Sequence, residues 1–270
     1  MPVREVTVRT ALTRSRLFDY CVNPYAGCAN ACVYCYARFA TRHPGEEWGS
    51  YVDVRSNIAA VLQRDLARAH SGSVYMSSVC DAWQSPEAVY GVSRQCLGLL
   101  LESGMPLFLQ TKNALVERDF DLLAGRANVR LGVTVTTTDV AVAHLFEPGA
   151  SSPLERLRVL SVARTLGLRT FVFLGPLLPG ISDRGEGLQR LMTSVADVMP
   201  DALFVDRLNR RAGMWPAVTR AVCALDPALL SEYRKVLFSA DQPEYESALR
   251  QRVGEAASAC GLLERIEWCF

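Results

Sequence analysis

The sequence predicts an α/β fold, a partial β/α barrel of about six units followed by a mainly helical C-terminal cap. Three observations carry that prediction. Apolar, β-branched stretches recur at residues 17–22, 74–79, 107–111, 131–136, 170–175 and 202–208. Amphipathic helical patterns and helix-start signals fall between them, and the rhythm stops after Leu208. Alternating strands and helices imply a parallel sheet wrapped by helices. About six units suit a partial barrel better than an eight-fold one, and chemistry then gathers at the C-terminal strand ends.

Taken in order, residues 1–16 form an N-terminal extension and residues 17–208 the barrel core. After the first strand comes a cysteine-rich segment, then a helix over 52–69 with Ile58, Val61, Leu62, Leu66 and Ala69 on one face. A second helix is predicted over 89–101, opened by Ser85-Pro86-Glu87 and ending before Gly104. Ser152-Pro153-Leu154-Glu155 opens another with a capping box and proline at the first helical position. Residues 209–270 are read as the helical cap.

Composition narrows the function. The chain has 270 residues, half of them apolar, which is enough for one continuous core. A net charge of +1 without a basic run gives no field that attracts nucleic acid, so duplex binding is not expected. Residues 1–13 lack the apolar stretch of a signal peptide, and no later run approaches the length of a membrane span, which predicts a cytoplasmic protein. Nine cysteines there, an odd number, point to metal or thiol chemistry instead of disulfides. Arginine supplies nearly all the positive charge; Lys112 and Lys235 are the two lysines.

Cys28, Cys32 and Cys35 are spaced C-x3-C-x2-C. Three thiolates on one tight loop each hold one iron of a four-iron four-sulfur cubane, which takes four protein ligands when fully ligated. The iron left open can chelate the amino and carboxylate groups of S-adenosylmethionine (SAM), whose reductive cleavage releases a 5′-deoxyadenosyl radical. The competing reading is a zinc knuckle completed by a distant fourth ligand, but the second cysteine pair usual in such sites is missing.

The motif, with an aromatic residue before its last cysteine, resembles the radical SAM superfamily. Asn23-Pro24-Tyr25-Ala26-Gly27-Cys28 followed by Tyr34-Cys35-Tyr36-Ala37-Arg38 resembles its spore photoproduct lyase-like branch. Ser78-Val79-Cys80-Asp81-Ala82-Trp83-Gln84-Ser85-Pro86-Glu87 is similar to the branch's second-strand motif. Phe146-Glu147-Pro148-Gly149-Ala150-Ser151-Ser152 resembles its Glu-Pro-Gly signature, and Gly175-Pro176-Leu177-Leu178-Pro179-Gly180 its fifth-strand end. The matches keep the expected order from residue 23 to 183. DNA-repairing members of the branch carry a further region before the cluster, where 27 residues stand here.

The resemblance implies roles for single residues. Lys112 is placed to contact SAM, a point charge suited to its carboxylate. Cys80 corresponds to a cysteine that returns a hydrogen atom to the product radical, and Tyr36 to a tyrosine near the reacting centre that could relay the radical. Ser78, Thr134 and Thr136 at adjoining strand ends are candidates for the SAM ribose or carboxylate, and the Tyr34 backbone for the adenine. Plain strand threonines and loop packing compete with these roles. Asp81, Arg207, Asn209 and Arg210 are the candidate substrate contacts; arginine suits a phosphate or carboxylate, against the plainer reading of a solvated charge run. Cys21, Cys96, Cys223, Cys260 and Cys269 read as packing thiols, and His43, His70 and His144 receive no role. The expected enzyme uses a 4Fe-4S cluster, SAM and a one-electron donor of the flavodoxin or ferredoxin type to abstract hydrogen from a small organic or nucleoside-like substrate. The alternatives are a nucleic-acid lesion lyase and, from another class, a non-catalytic zinc- or cluster-binding regulatory module.

Overall fold

The computed structural model describes residues 1–39 and 47–270. Its strands are β1 (Val3–Val6), β2 (Leu12–Arg14), β3 (Tyr20–Val22), β4 (Tyr25–Ala26), β5 (Val52–Arg55), β6 (Val74–Met76), β7 (Leu107–Thr111), β8 (Val129–Val135), β9 (Arg169–Leu177), β10 (Ala202–Arg207) and β11 (Ile266–Trp268). Its helices are α1 (Ile58–Leu66), α2 (Glu87–Tyr90), α3 (Val92–Glu102), α4 (Phe120–Leu123), α5 (Val140–Phe146), α6 (Pro153–Thr165), α7 (Gly185–Asp197), α8 (Trp215–Leu225), α9 (Leu230–Phe238) and α10 (Gln242–Ala259).

The predicted α/β architecture is present. β3, β6, β7, β8, β9 and β10 pair in parallel and in chain order, each joined to the next through helix. β11 adds in parallel at one edge and β2 in antiparallel at the other, so that among the described residues the eight-stranded sheet stays open. All six central strands end on one edge, and the site lies there.

The register sorts the two faces of the sheet. Val74, Met76, Leu107, Leu109, Val129, Leu131, Val133, Val135, Val172, Leu174, Leu203 and Val205 share one face and are buried against the helices. The opposite, concave face carries Tyr75, Phe108, Gln110, Thr134, Phe173 and Phe204. Aromatic rings fill its lower layer: Phe18 packs on Phe108 at 4.8 Å, and Phe171 lies edge-on to Phe204 at 5.3 Å. Gly132 stands between them because a Cβ there would enter the Phe171 ring.

Several boundaries differ from the sequence reading. Val52–Arg55, expected as helix, is β5, because Val52 and Val54 alternate toward the core and pair with β1 and β4. The helix there begins only at Ile58. The helix expected over 89–101 breaks at Gly91, whose left-handed φ of 61° lets the Glu87 carboxylate turn back and cap α3 through Ser93 N and Arg94 N at 2.9 and 3.1 Å. β6 stops at Met76 because Ser77 adopts a φ of 71°, so Ser78 and Cys80 belong to the loop that follows. The capping box of Ser152 and Glu155 forms as expected. Residues 1–16 contribute β1 and β2 to the sheets, and residues 209–270 contribute α8, α9, α10 and β11. No helix among the described residues is long and apolar enough to cross a membrane.

A methyl group added at Gly132 must displace a ring wedged between Phe108 and Phe204. Gly132→Ala is therefore expected to lower unfolding stability by about 1–3 kcal/mol, the usual cost of overpacking. Denaturant unfolding measures it, and an unchanged midpoint would show that the concave face is loosely packed.

Candidate active site

The cysteine loop leaves β4 through Gly27, whose φ of 80° and close approach to the Tyr51 backbone exclude a side chain. Ala31 N donates to Cys28 O and Cys35 N to Cys32 O, both at 3.2 Å, so the chain turns twice and brings three thiols to one side. Cys28 and Cys32 are buried and Cys35 half-buried.

The loop is fastened to three strand ends. Gln84, beyond β6, accepts from Ala29 N at 2.7 Å. Asn113, beyond β7, donates to the Asn30 side chain at 3.0 Å. Beyond β8, Gly149 N donates to Asn30 O and Phe146 O accepts from Val33 N. Gly149 fits because a Cβ would strike the Ala29 carbonyl, so the Glu-Pro-Gly segment presses on the cysteine loop through a bare backbone.

Asp81 is the centre of these fastenings. Its carboxylate accepts from Asn30 Nδ2 at 3.0 Å, Lys112 N at 2.8 Å, Thr111 Oγ1 at 2.7 Å and Trp83 N at 2.9 Å. The residue is 6% exposed, with both oxygens engaged. Both carboxylate oxygens of Asp81, read from the sequence as a substrate contact, are thus engaged by donors of the protein itself.

Burial pushes all three loop thiols up, Cys28 well above the ordinary range and Cys32 to about 12. The Cys28 thiol is raised further by the nearby Asp81 carboxylate and the sulfurs of Cys32 and Cys35. Thiols packed this closely ionise only with positive charge supplied among them, as a metal cluster does. Among the described residues, no three His, Cys, Asp or Glu side chains are placed to share one metal ion. Three thiol donors on one short loop are a donor set that a cubane, with one thiolate at each iron, would accept.

The remaining candidates fall into two groups. Lys112, just past β7, is half-buried with Nζ 5.8 Å from the Tyr34 ring centroid. The Tyr34 hydroxyl donates to Glu147, which pairs with Arg156 at 2.6 Å, both partners being buried. Cys80 is half-buried, its sulfur 3.9 Å from Asn23 Oδ1 and its thiol pushed up to about 11 by burial. The Tyr36 hydroxyl donates to the carbonyl of Ser78, and the Ser78 hydroxyl meets Asn23 Nδ2 at 3.2 Å. Thr134 accepts from Gln110 at 2.8 Å, within a chain that starts at the Tyr75 hydroxyl. Thr136 Oγ1 is buried with no hydrogen-bond partner among the described residues, and the buried Ser77 hydroxyl, which the sequence reading missed for want of any motif, acts on the Cys80 thiol.

Two substrate candidates are otherwise engaged. Arg207 pairs with Glu246 of α10 at 2.7 Å, and Asn209 donates to Asp206 at 3.0 Å. Arg210 stacks over the Phe238 ring at 4.8 Å and is exposed. Asp206 itself lies opposite a bulge of β9 at Gly175, and burial raises its carboxyl. Cys96 is buried in α3, Cys223 is exposed, and His43 lies outside the described residues.

Asp81→Asn would turn an amide donor toward donors already in place. It is expected to cost about 2–3 kcal/mol, in the range for losing hydrogen bonds to a buried charge. Urea unfolding of the metal-free protein measures this, and a loss below about 0.5 kcal/mol would remove Asp81 from the centre of the site.

Comparison with known proteins agrees with this geometry. Residues 22–192 match the sequence model of the radical SAM superfamily. An uncharacterized protein of Mycobacterium tuberculosis is 32% identical over 247 residues, which cover 87% of this chain and 73% of that protein. A radical SAM Nalpha-GlyT isomerase of Pseudomonas phage M6 is 25% identical over 160 residues, covering 58% of this chain and 33% of the isomerase. Among solved structures, a spore photoproduct lyase variant superposes with a TM-score of 0.69 at 15% identity, over 99% of this chain and 82% of the lyase. That likeness is one of fold. Together with the match over the cysteine loop, the sheet and its strand ends, it replaces the non-catalytic alternative with an enzyme. The chain belongs to the radical SAM superfamily.

Proposed function

We propose that the chain holds a 4Fe-4S cluster on Cys28, Cys32 and Cys35, binds SAM at the C-terminal edge of the sheet, and abstracts hydrogen from a small organic or nucleoside-like substrate. The observation that carries this reading is the lodging of three thiols, two buried and one half-buried, beside Lys112 on the edge where six parallel strands end. When bound, the cluster and SAM supply one-electron cleavage of a carbon-sulfur bond and a radical able to take hydrogen from carbon. A flavodoxin- or ferredoxin-type protein delivers the electron.

The protein's own groups then have distinct tasks. Lys112 pairs the carboxylate of SAM through a charge-assisted hydrogen bond. Thr136, whose buried hydroxyl has no hydrogen-bond partner among the described residues, is available to bond the same ligand. Cys80 gives its S–H hydrogen to the substrate-derived carbon radical, and the Tyr36 hydroxyl, anchored two residues away at Ser78, returns a hydrogen to the sulfur. The aromatic floor of the concave face excludes water from beneath. A nucleic-acid lesion lyase is the alternative for the same chemistry, with an extended ligand at the open mouth.

Replacing Cys28, Cys32 or Cys35 by alanine is expected to abolish 5′-deoxyadenosine formation and the iron and sulfide content of anaerobically reconstituted protein. Wild-type-like SAM cleavage by any one variant would overturn the cluster assignment. Cys80→Ala is expected to leave SAM cleavage in place while the product, formed in deuterated water, changes in identity or deuterium content. An identical product at an identical rate would return Cys80 to packing.

A further inference from the structure

Lys112, Glu147 and Arg156 all act electrostatically on the sulfur of Cys32. Glu147 and Arg156 are both 1% exposed. A buried carboxylate demands a cation, and two stand within reach. Arg156 takes the place because its planar fork is clamped. Nε donates to Ser151 O at 2.8 Å, and Nη1 donates to Thr134 O at 3.0 Å while lying 2.6 Å from Glu147 Oε2. The other oxygen of Glu147 accepts from the Tyr34 hydroxyl.

Lys112 is held differently. Its backbone is fixed on both sides, N–H to Asp81 Oδ2 at 2.8 Å and C=O from Ser151 N at 3.0 Å. Its ammonium has no carboxylate within 4 Å among the described residues, although Glu147 acts on it through space. Ser151 therefore joins the two cations, binding Lys112 through its N–H and Arg156 through its carbonyl. A flexible ammonium beside a buried carboxylate collapses onto it unless a better-placed cation is already there.

We propose that Arg156 is a positioning residue that occupies Glu147 and so leaves the Lys112 ammonium free for the carboxylate of SAM. This inference rests on the Lys112 assignment made above and adds the residue that makes Lys112 available. Without Arg156, Lys112 pairs with Glu147 and the anion site closes.

Because Lys112 and Lys235 are the two lysines of the chain, acetylation by acetic anhydride, read by mass spectrometry, reports on Lys112 with Lys235 as the internal reference. The test uses cluster-loaded protein and measures SAM affinity alongside labelling. In the wild type, SAM is expected to slow labelling of Lys112 but not of Lys235. Arg156→Gln is expected to weaken SAM binding roughly ten-fold, the size of one charge-assisted contact, and to slow Lys112 labelling even without SAM. Combining Glu147→Gln with Arg156→Gln removes both buried charges and is expected to restore wild-type labelling and affinity to within about two-fold. Arg156→Lys keeps the charge but loses the clamped fork, and is expected to fall between wild type and Arg156→Gln in both labelling and affinity. Wild-type affinity and labelling in Arg156→Gln would overturn the inference. So would a double variant that binds SAM roughly ten-fold more weakly than wild type, and this arm holds even where the single variant does not fold. Lys112→Met with unchanged SAM affinity would instead overturn the Lys112 assignment beneath it.

Discussion

The site depends on one buried carboxylate. Asp81 receives donors from the cysteine loop, from the end of β7 and from its own turn, so it fixes three segments that share no secondary structure. Hydrogen bonds to a buried charge contribute roughly 1.5–3 kcal/mol each, about twice a neutral pair. The cysteine loop itself contains few backbone bonds, two turns at 3.2 Å, and could not hold three thiols in place alone. Asn30 carries the constraint onward, since its amide binds Asp81, its side-chain oxygen accepts from Asn113 and its carbonyl accepts from Gly149. Lys112 receives its backbone position from the same carboxylate, so the cysteine loop and the end of β7 are aligned by one group.

A second set of buried charges supports the loop that carries Asp81. Glu87 and Asp119 are fully buried and are answered by Arg118 at 2.7 and 2.8 Å, while Arg94 reaches Asp119 at 3.0 Å. Trp83 Nε1 donates to Asp119 at 2.8 Å, and the Tyr25 hydroxyl, just before the cysteine loop, donates to Glu87. Removing one partner of such a network leaves an uncompensated buried charge, at a typical cost of about 3–5 kcal/mol. Beyond Ser77, whose N–H still donates to Val22 O of β3, the loop after β6 is held by this network.

What the sequence made legible follows from which interactions are local. β-Branched runs gave the central strands, with β7 matching the expected bounds, because both the strand and its burial are written in a period of two. Thiol spacing marked Cys28, Cys32 and Cys35 because their loop is contiguous. The ends of elements were less legible: no composition rule announces that Ser77 takes a left-handed φ and stops β6, or that Glu87 turns back to cap α3. Long-range polar contacts were not legible at all. Asp81 and Arg207 read equally well as substrate contacts, and only the fold shows Asp81 consumed by four donors and Arg207 by Glu246 of α10. The Tyr34 backbone was linked to the adenine, but nothing local announced that its side-chain hydroxyl donates to a carboxylate 113 positions away.

The same long-range burial gives the nine cysteines different meanings. Cys96 sits in an apolar helix face, and the Cys21 sulfur meets the Thr13 hydroxyl and the Asn23 amide, the surroundings of packing groups. Desolvation raises the thiols of Cys28, Cys32 and Cys80 alike. For the three loop cysteines that penalty is an argument for a positively charged partner, since thiolates so close together repel one another without it. Cys80 stands apart from their loop, beside an amide oxygen, and for it the penalty preserves the protonated form. A thiol kept as S–H at neutral pH has a hydrogen atom to give, whereas a thiolate has none. On the proposed reading, burial thus serves both halves of the site, by demanding metal at one set of sulfurs and retaining hydrogen at the other.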